Sequence, residues 1–200
     1  MSKIKVTYTP DATPLDPNET NGLIPDYIST QGELNILEQQ NIVEATTWAK
    51  NESTGEILEA SFVLELHRRM LNRVWKWAGQ LRRSKKNIGV MKEQISTQLA
   101  LLLKDTAYWI ENKIYTWDEI GARFHHRLVA IHIFANGNGR HARLITNILL
   151  EKYNQKPFTW GANANPAPLE VESVIRKAYI SALKSADHGD YEELIRFVRS

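Results

Sequence analysis

Apolar residues recur three or four positions apart along nearly the whole chain after Glu33, a spacing that suits helices and little else. Leu34, Leu37, Ile42, Ala45 and Trp48 predict a helix over 33–50, after which Gly55 breaks the chain. Leu58, Phe62, Leu66, Met70, Val74 and Trp77 predict a second over 56–77, ended at Ala78-Gly79. Ile95, Leu99, Leu102, Leu103 and Trp109 carry a third over 92–112, and Ile120, Phe124, Leu128 and Ile131 a fourth over 117–133. A fifth, over 140–153, shows Leu144, Ile145, Ile148 and Leu149 on one face. Beyond a loop marked by Pro157, Gly161, Pro166 and Pro168, two more are expected at 169–185 and 190–198, with Asp190 as a cap. No strands alternate with these helices, which excludes a doubly wound sheet or an α/β barrel. The expected fold is all-α.

Two segments lack the helical stripe. Pro10, Pro14, Pro17 and Pro25 make the first thirty residues an extended arm, and Tyr8, Leu15, Leu23, Ile24, Tyr27 and Ile28 favour an arm lying on the domain. The stretch QLRRSKKNIGVM, residues 80–91, is basic, and its Asn87 and Gly89 suit a turn or short hairpin. The expected division is therefore an arm over 1–32, a leading helix over 33–54 and the main domain over 55–200.

Lys and Arg total 25 against 23 Asp and Glu, which supplies no global field for gripping nucleic acid. Cysteine is absent, so disulfides, thiolate catalysis and Cys-bound zinc are excluded. The longest apolar run, Leu99 to Leu103, is far short of the ~20 residues of a membrane span, and the first residues have no apolar core of a secretory signal. A cytoplasmic domain with no membrane and no nucleic-acid partner is expected.

The chemistry is concentrated in His132-Ile133-Phe134-Ala135-Asn136-Gly137-Asn138-Gly139-Arg140-His141-Ala142-Arg143. The first N–H groups of a helix have no internal partner and sit at the positive end of its dipole. Glycines leading into that start let the amides approach a phosphate closely. Arg140 and Arg143, three apart, put both guanidiniums beside the anion hole. His132, at the end of the preceding helix, lies at its rim and can take a proton from a hydroxyl. Phe134 is expected to bury its ring and anchor the loop. His141 is expected to be exposed, and His125 and His126 to be core or supporting histidines rather than a metal pair.

This stretch resembles the Fic signature, H-x-F-x-[DE]-G-N-G-R-x-x-R, at His132, Phe134, Gly137, Asn138, Gly139, Arg140 and Arg143. Similarity extends through WAGQLRR and AYISALKSADHGDYEELIRF, and the chain looks most like the short Fic-type proteins called mobile mystery protein B. The resemblance implies a Fic-fold helical bundle with a short β-hairpin flap. It implies AMP transfer from ATP, with Mg²⁺, to a Ser, Thr or Tyr hydroxyl of a target protein. His132 would be the base, Gly137, Asn138 and Gly139 would line the anion hole, and Arg140 and Arg143 would hold the β- and γ-phosphates. It also implies that Lys85, Lys86, Asn87, Ile88 and Gly89 form the flap that docks the target by strand addition. Asn136 replaces the usual acidic magnesium ligand, so a Doc-like phosphotransferase and a non-catalytic nucleotide-binding module stay open as alternatives. Ser29-Thr30-Gln31-Gly32-Glu33 resembles the inhibitory motif of some Fic proteins, which would pair Glu33 with Arg143; a helix cap is the other reading of the same residues. The family adds two partners to test for, a small antitoxin-like protein and a second copy of the chain.

Overall fold

A computed structural model describes residues 13–51, 56–163, 169 and 173–200. The parts of the arm before residue 13, the break at Gly55, and Pro166 and Pro168 lie outside the described residues. Helix α1 spans Pro17–Thr20, α2 Gln31–Asn51, α3 Ala60–Leu71, α4 Ile95–Glu111, α5 Trp117–Ile131, α6 Asn138–Lys152, α7 Val174–Asp187 and α8 Glu192–Arg199, with a 3₁₀ turn at Lys92–Gln94 leading into α4. No helix among the described residues is long and apolar enough to cross a membrane.

Two cores hold these helices. The larger joins α2 through α6 around Leu66, Met70, Leu102, Phe124, Leu128 and Phe134, all nearly or fully buried. The smaller sets Leu150 and Phe158 against Tyr179, Leu183, Leu194 and Phe197 of α7 and α8. The segment after α6 is tied to the end of α8: Thr159 N and Trp160 N both donate to Val198 O, and Thr159 Oγ1 donates to Ser200 O.

Three sequence expectations change. The helix expected over 56–77 stops at Leu71, and a series of turns follows. The apolar spacing persists because Val74 and Trp75 stay buried in those turns. There Ile24 N donates to Val74 O and Lys76 N to Gly22 O, so Leu23 and Trp75 form an antiparallel bridge. This contact lays the arm on the bundle. The helix expected from residue 169 begins at Val174, where the Ser173 side chain accepts from Arg176 N and caps it. The hairpin expected over 80–91 is a bent loop with no backbone hydrogen bond between its limbs. Its carbonyls at Ser84 and Val90 accept from the Arg82 side chain instead.

Candidate active site

The loop between α5 and α6 is built from two left-handed residues. His132 ends α5 at φ 56°, ψ 64°, and Gly137 opens α6 at φ 76°. A Cβ at Gly137 would lie 3.0 Å from Leu71 Cδ1, so both backbone conformation and space favour glycine. Between these ends Asn138 acts as a staple. Its Oδ1 accepts from Phe134 N at 2.9 Å and its Nδ2 donates to Phe134 O at 2.8 Å. Phe134 is fully buried, as its role as an anchor requires.

His67 holds the loop from beneath, and the sequence did not nominate it. Its Nδ1 accepts from Gly79 N at 2.9 Å, which leaves Nε2 as the donor to Asn136 O at 3.0 Å. Its ring stacks on Phe134 with centroids 3.6 Å apart. His67 falls on the buried stripe of α3 with Val63, Met70 and Leu71, and a polar ring at such a position must find partners. His141, expected outside, is completely buried and its Nε2 meets Val63 O at 2.9 Å. The first turn of α6 packs against α3 there, so the variable position of the motif faces inward.

α6 starts two residues earlier than its apolar stripe suggested, and no side chain caps its first turn. The leading N–H groups of the helix therefore remain an anion site. Gly139 and the two arginines sit on this turn and the next, half-buried. Arg140 and Arg143 line a cavity of about 250 Å³ with Gln39, Ile42, Leu144, Asn147 and Trp160. Arg143 lies over the Tyr179 ring, 5.9 Å from its centre, and the Tyr179 hydroxyl meets His125 Nε2 at 2.8 Å. His126 Nε2 meets Asp187 Oδ1 at 2.8 Å, so the two adjacent histidines serve different partners.

His132 is 5% exposed and neither ring nitrogen has a hydrogen-bond partner of good geometry. Burial, with the nearby charges of Arg82 and Lys86, lowers its pKa to about 4 against a weaker opposing effect of the Val129 carbonyl. The ring is thus neutral at pH 7 with its proton acceptor unengaged.

The Asn136 side chain turns back on its own loop. Its Oδ1 is neutral and accepts from its own neighbour, Gly137 N, at 2.5 Å. Among the described residues no cluster of His, Asp and Glu could hold a metal.

The proposed brake is not at Glu33. That carboxylate is exposed and accepts from Ser29 N, Ser29 Oγ and Thr30 N, which hold its pKa below the usual value, while Glu33 N donates to Thr30 Oγ1. This is a capping box that starts α2, and Glu33 does not reach Arg143. A different acid of α2 reaches the motif. Glu38, 6% exposed, accepts from Arg140 Nη1 at 2.7 Å and from Trp75 Nε1 at 2.6 Å.

In the flap, Lys85, Asn87, Ile88 and Gly89 are exposed. Lys86 is not available to a target. Its side chain is 3% exposed, pairs with Glu19 of the arm and donates to Pro14 O at 2.9 Å. Glu19 also accepts from Ser84 Oγ at 2.6 Å, so the arm straps the flap.

Comparison with known proteins places this geometry. Residues 57–150 match the model of the Fic/DOC family. A curated relative named "Protein adenylyltransferase Fic" from Drosophila grimshawi is 32% identical over 155 residues, covering 74% of this chain and 30% of the relative. A solved structure of Fic-1 (aa134–508) from C. elegans aligns at TM-score 0.60 and 26% identity over 90% of this chain and 51% of that one. The N-terminal Fic domain of a putative cell filamentation protein from Bartonella quintana, with bound ADP, aligns at TM-score 0.66 and 16% identity over 90% and 94% of the two chains. The chain spans less than a third of the length of the curated relative it matches.

Proposed function

Because this chain is a member of the Fic/DOC family, we propose that it transfers AMP from ATP to a Ser, Thr or Tyr hydroxyl of a target protein. The observation that carries the reading is a neutral, buried His132 one short loop before an uncapped helix start that bears Arg140 and Arg143. A ring nitrogen of His132 removes the hydroxyl proton. The freed oxygen forms a bond to the α-phosphorus, the bond from that phosphorus to the bridging oxygen breaks, and pyrophosphate leaves with the displaced electrons. The helix start and the arginines neutralise charge on the β- and γ-phosphates. Magnesium enters with ATP as its complex.

On this reading Glu38, paired with Arg140, competes with the nucleotide. A carboxylate on Arg140 occupies the place of a phosphate oxygen, and Trp75 fixes its other oxygen. ATP must displace Glu38 before Arg140 can grip it. Replacing Glu38 with alanine is expected to tighten ATP binding about tenfold, the equivalent of one charge-assisted hydrogen bond no longer competing. The unpaired Trp75 N–H would lower stability by about 1–3 kcal/mol.

The test is intact-mass spectrometry after incubation with ATP and magnesium, with calorimetry of ATP binding alongside. An adenylyl adduct that forms faster in Glu38→Ala supports the reading. A phosphoryl adduct moves the protein to phosphotransfer, the alternative that Asn136 favours. ATP binding with no product in either protein identifies a binding module.

A further inference from the structure

Arg82 is a cation buried to 4% exposure, and among the described residues it makes no salt bridge. Its Nε donates to His132 O at 2.5 Å, Nη1 to Ser84 O at 3.0 Å and Nη2 to Val90 O. Its backbone joins in, since Arg82 N donates to Ile133 O at 2.9 Å. Removing a guanidinium from water is unfavourable unless its donors find partners, and here backbone carbonyls of the flap and of His132 take one hydrogen bond from each of its three nitrogens.

The geometry at His132 explains why a fork of donors stands there. A left-handed residue other than glycine is strained by roughly 1 kcal/mol or more, and the surrounding structure must hold it. His132 O, turned out of the α5 ladder, is held by Arg82. Gly89 at φ 102° closes over the same point. A Cβ there would lie 2.6 Å from His132 Cβ and 2.9 Å from Arg82 Nη2. The flap therefore rests directly on the histidine, with the guanidinium between the flap limbs and the end of α5.

We infer that Arg82 is the positioning residue of the catalytic base: its guanidinium fixes the left-handed backbone of His132 and locks the flap to it, so that the base and the target-docking loop move as one body. The inference rests on His132 being the base. Its charge also helps keep the His132 ring neutral. Lysine cannot replace it, because a single ammonium cannot reach three carbonyls in fixed directions.

Arg82→Lys tests this while preserving charge. Calorimetric ATP affinity is expected within about twofold of wild type, because Arg140, Arg143 and the helix start are untouched. The rate of adduct formation at saturating ATP is expected to fall about 10- to 100-fold, as for a displaced reacting group. Equal losses in rate and affinity, or an unchanged rate, would overturn the inference. A second measurement needs no variant: native-state hydrogen exchange of the wild-type protein. The amides of Arg82, Val90 and His132, which donate to Ile133 O, Ile131 O and Leu128 O, are expected to open together. Flap amides that open while His132 stays closed would overturn it. His132→Ala run alongside separates the two readings. If it still forms adduct, the function proposed for His132 fails, while hydrogen exchange continues to decide whether flap and histidine are one unit.

Discussion

His132→Ala is expected to lower the rate of AMP transfer about 10²- to 10⁴-fold, the range a positioned general base supplies. ATP affinity should change little, because the groups proposed to hold the phosphates belong to α6. The substitution also keeps the fold. No hydrogen bond of good geometry is lost with the imidazole, and the backbone contacts of His132 with Leu128 O and Arg82 Nε do not involve the side chain. Single-turnover adduct formation followed by intact mass, with calorimetry of ATP binding, separates chemistry from binding. A residual rate within tenfold of wild type would remove His132 from the mechanism. Loss of ATP binding in step with rate would assign it to the nucleotide site instead.

The second large effect is on stability in mild acid. Four histidines are buried with lowered pKa values: His67 well below its ordinary value through burial and then His141, His125 to about 3 through burial and then Arg143, His132 to about 4 through burial and then Arg82, and His141 to about 4 through burial. In the unfolded chain each returns to about 6.5. Below that pH the unfolded state takes up protons that the folded state refuses. The stabilisation is therefore complete above about pH 6.5 and is lost progressively as pH falls toward 4. At pH 5.5 each histidine contributes a loss of roughly 1–2 kcal/mol, together on the order of 5 kcal/mol. For a domain of ordinary stability, 5–15 kcal/mol, that is a large share. Urea unfolding at pH 7.5 and pH 5.5 measures it directly. Equal midpoints at the two values would mean that these rings take up protons in place.

The same residues show what could be read from the chain and what could not. The helices were legible because the apolar spacing reports burial, and burial is what α3 through α6 share. The loop from His132 to Arg143 was legible because left-handed turns and helix starts constrain residue type locally. Glu38 was not found, although a signal existed. The buried face of α2 is Leu34, Glu38, Asn41, Ala45 and Ala49, a stripe slightly rotated from the one that Leu37, Ile42 and Trp48 suggest. A carboxylate inside such a stripe needs a buried partner, and the nearest motif arginine is the candidate. Ser29 to Glu33 left two readings open, an inhibitory motif and a helix cap, and the structure takes the cap. The spacing of an inhibitory motif and that of a capping box are nearly the same, and local backbone N–H groups were closer than any arginine. Arg82 and Lys86 looked alike in a basic turn. Only the fold shows that one faces the carbonyls of His132 and the flap while the other faces Glu19 of the arm.

The tie between residues 159–160 and the end of α8 has a consequence for the order of synthesis. Trp160 forms one wall of the cavity beside Arg140 and Arg143, yet its backbone is fastened to Val198. A nascent chain that has already made the whole of 132–143 still lacks that wall until residues 198–200 leave the ribosome. Removing residues 198–200 would take away the fastening while leaving every motif residue in place, so that the signature would be intact and the wall beside Arg140 and Arg143 would not.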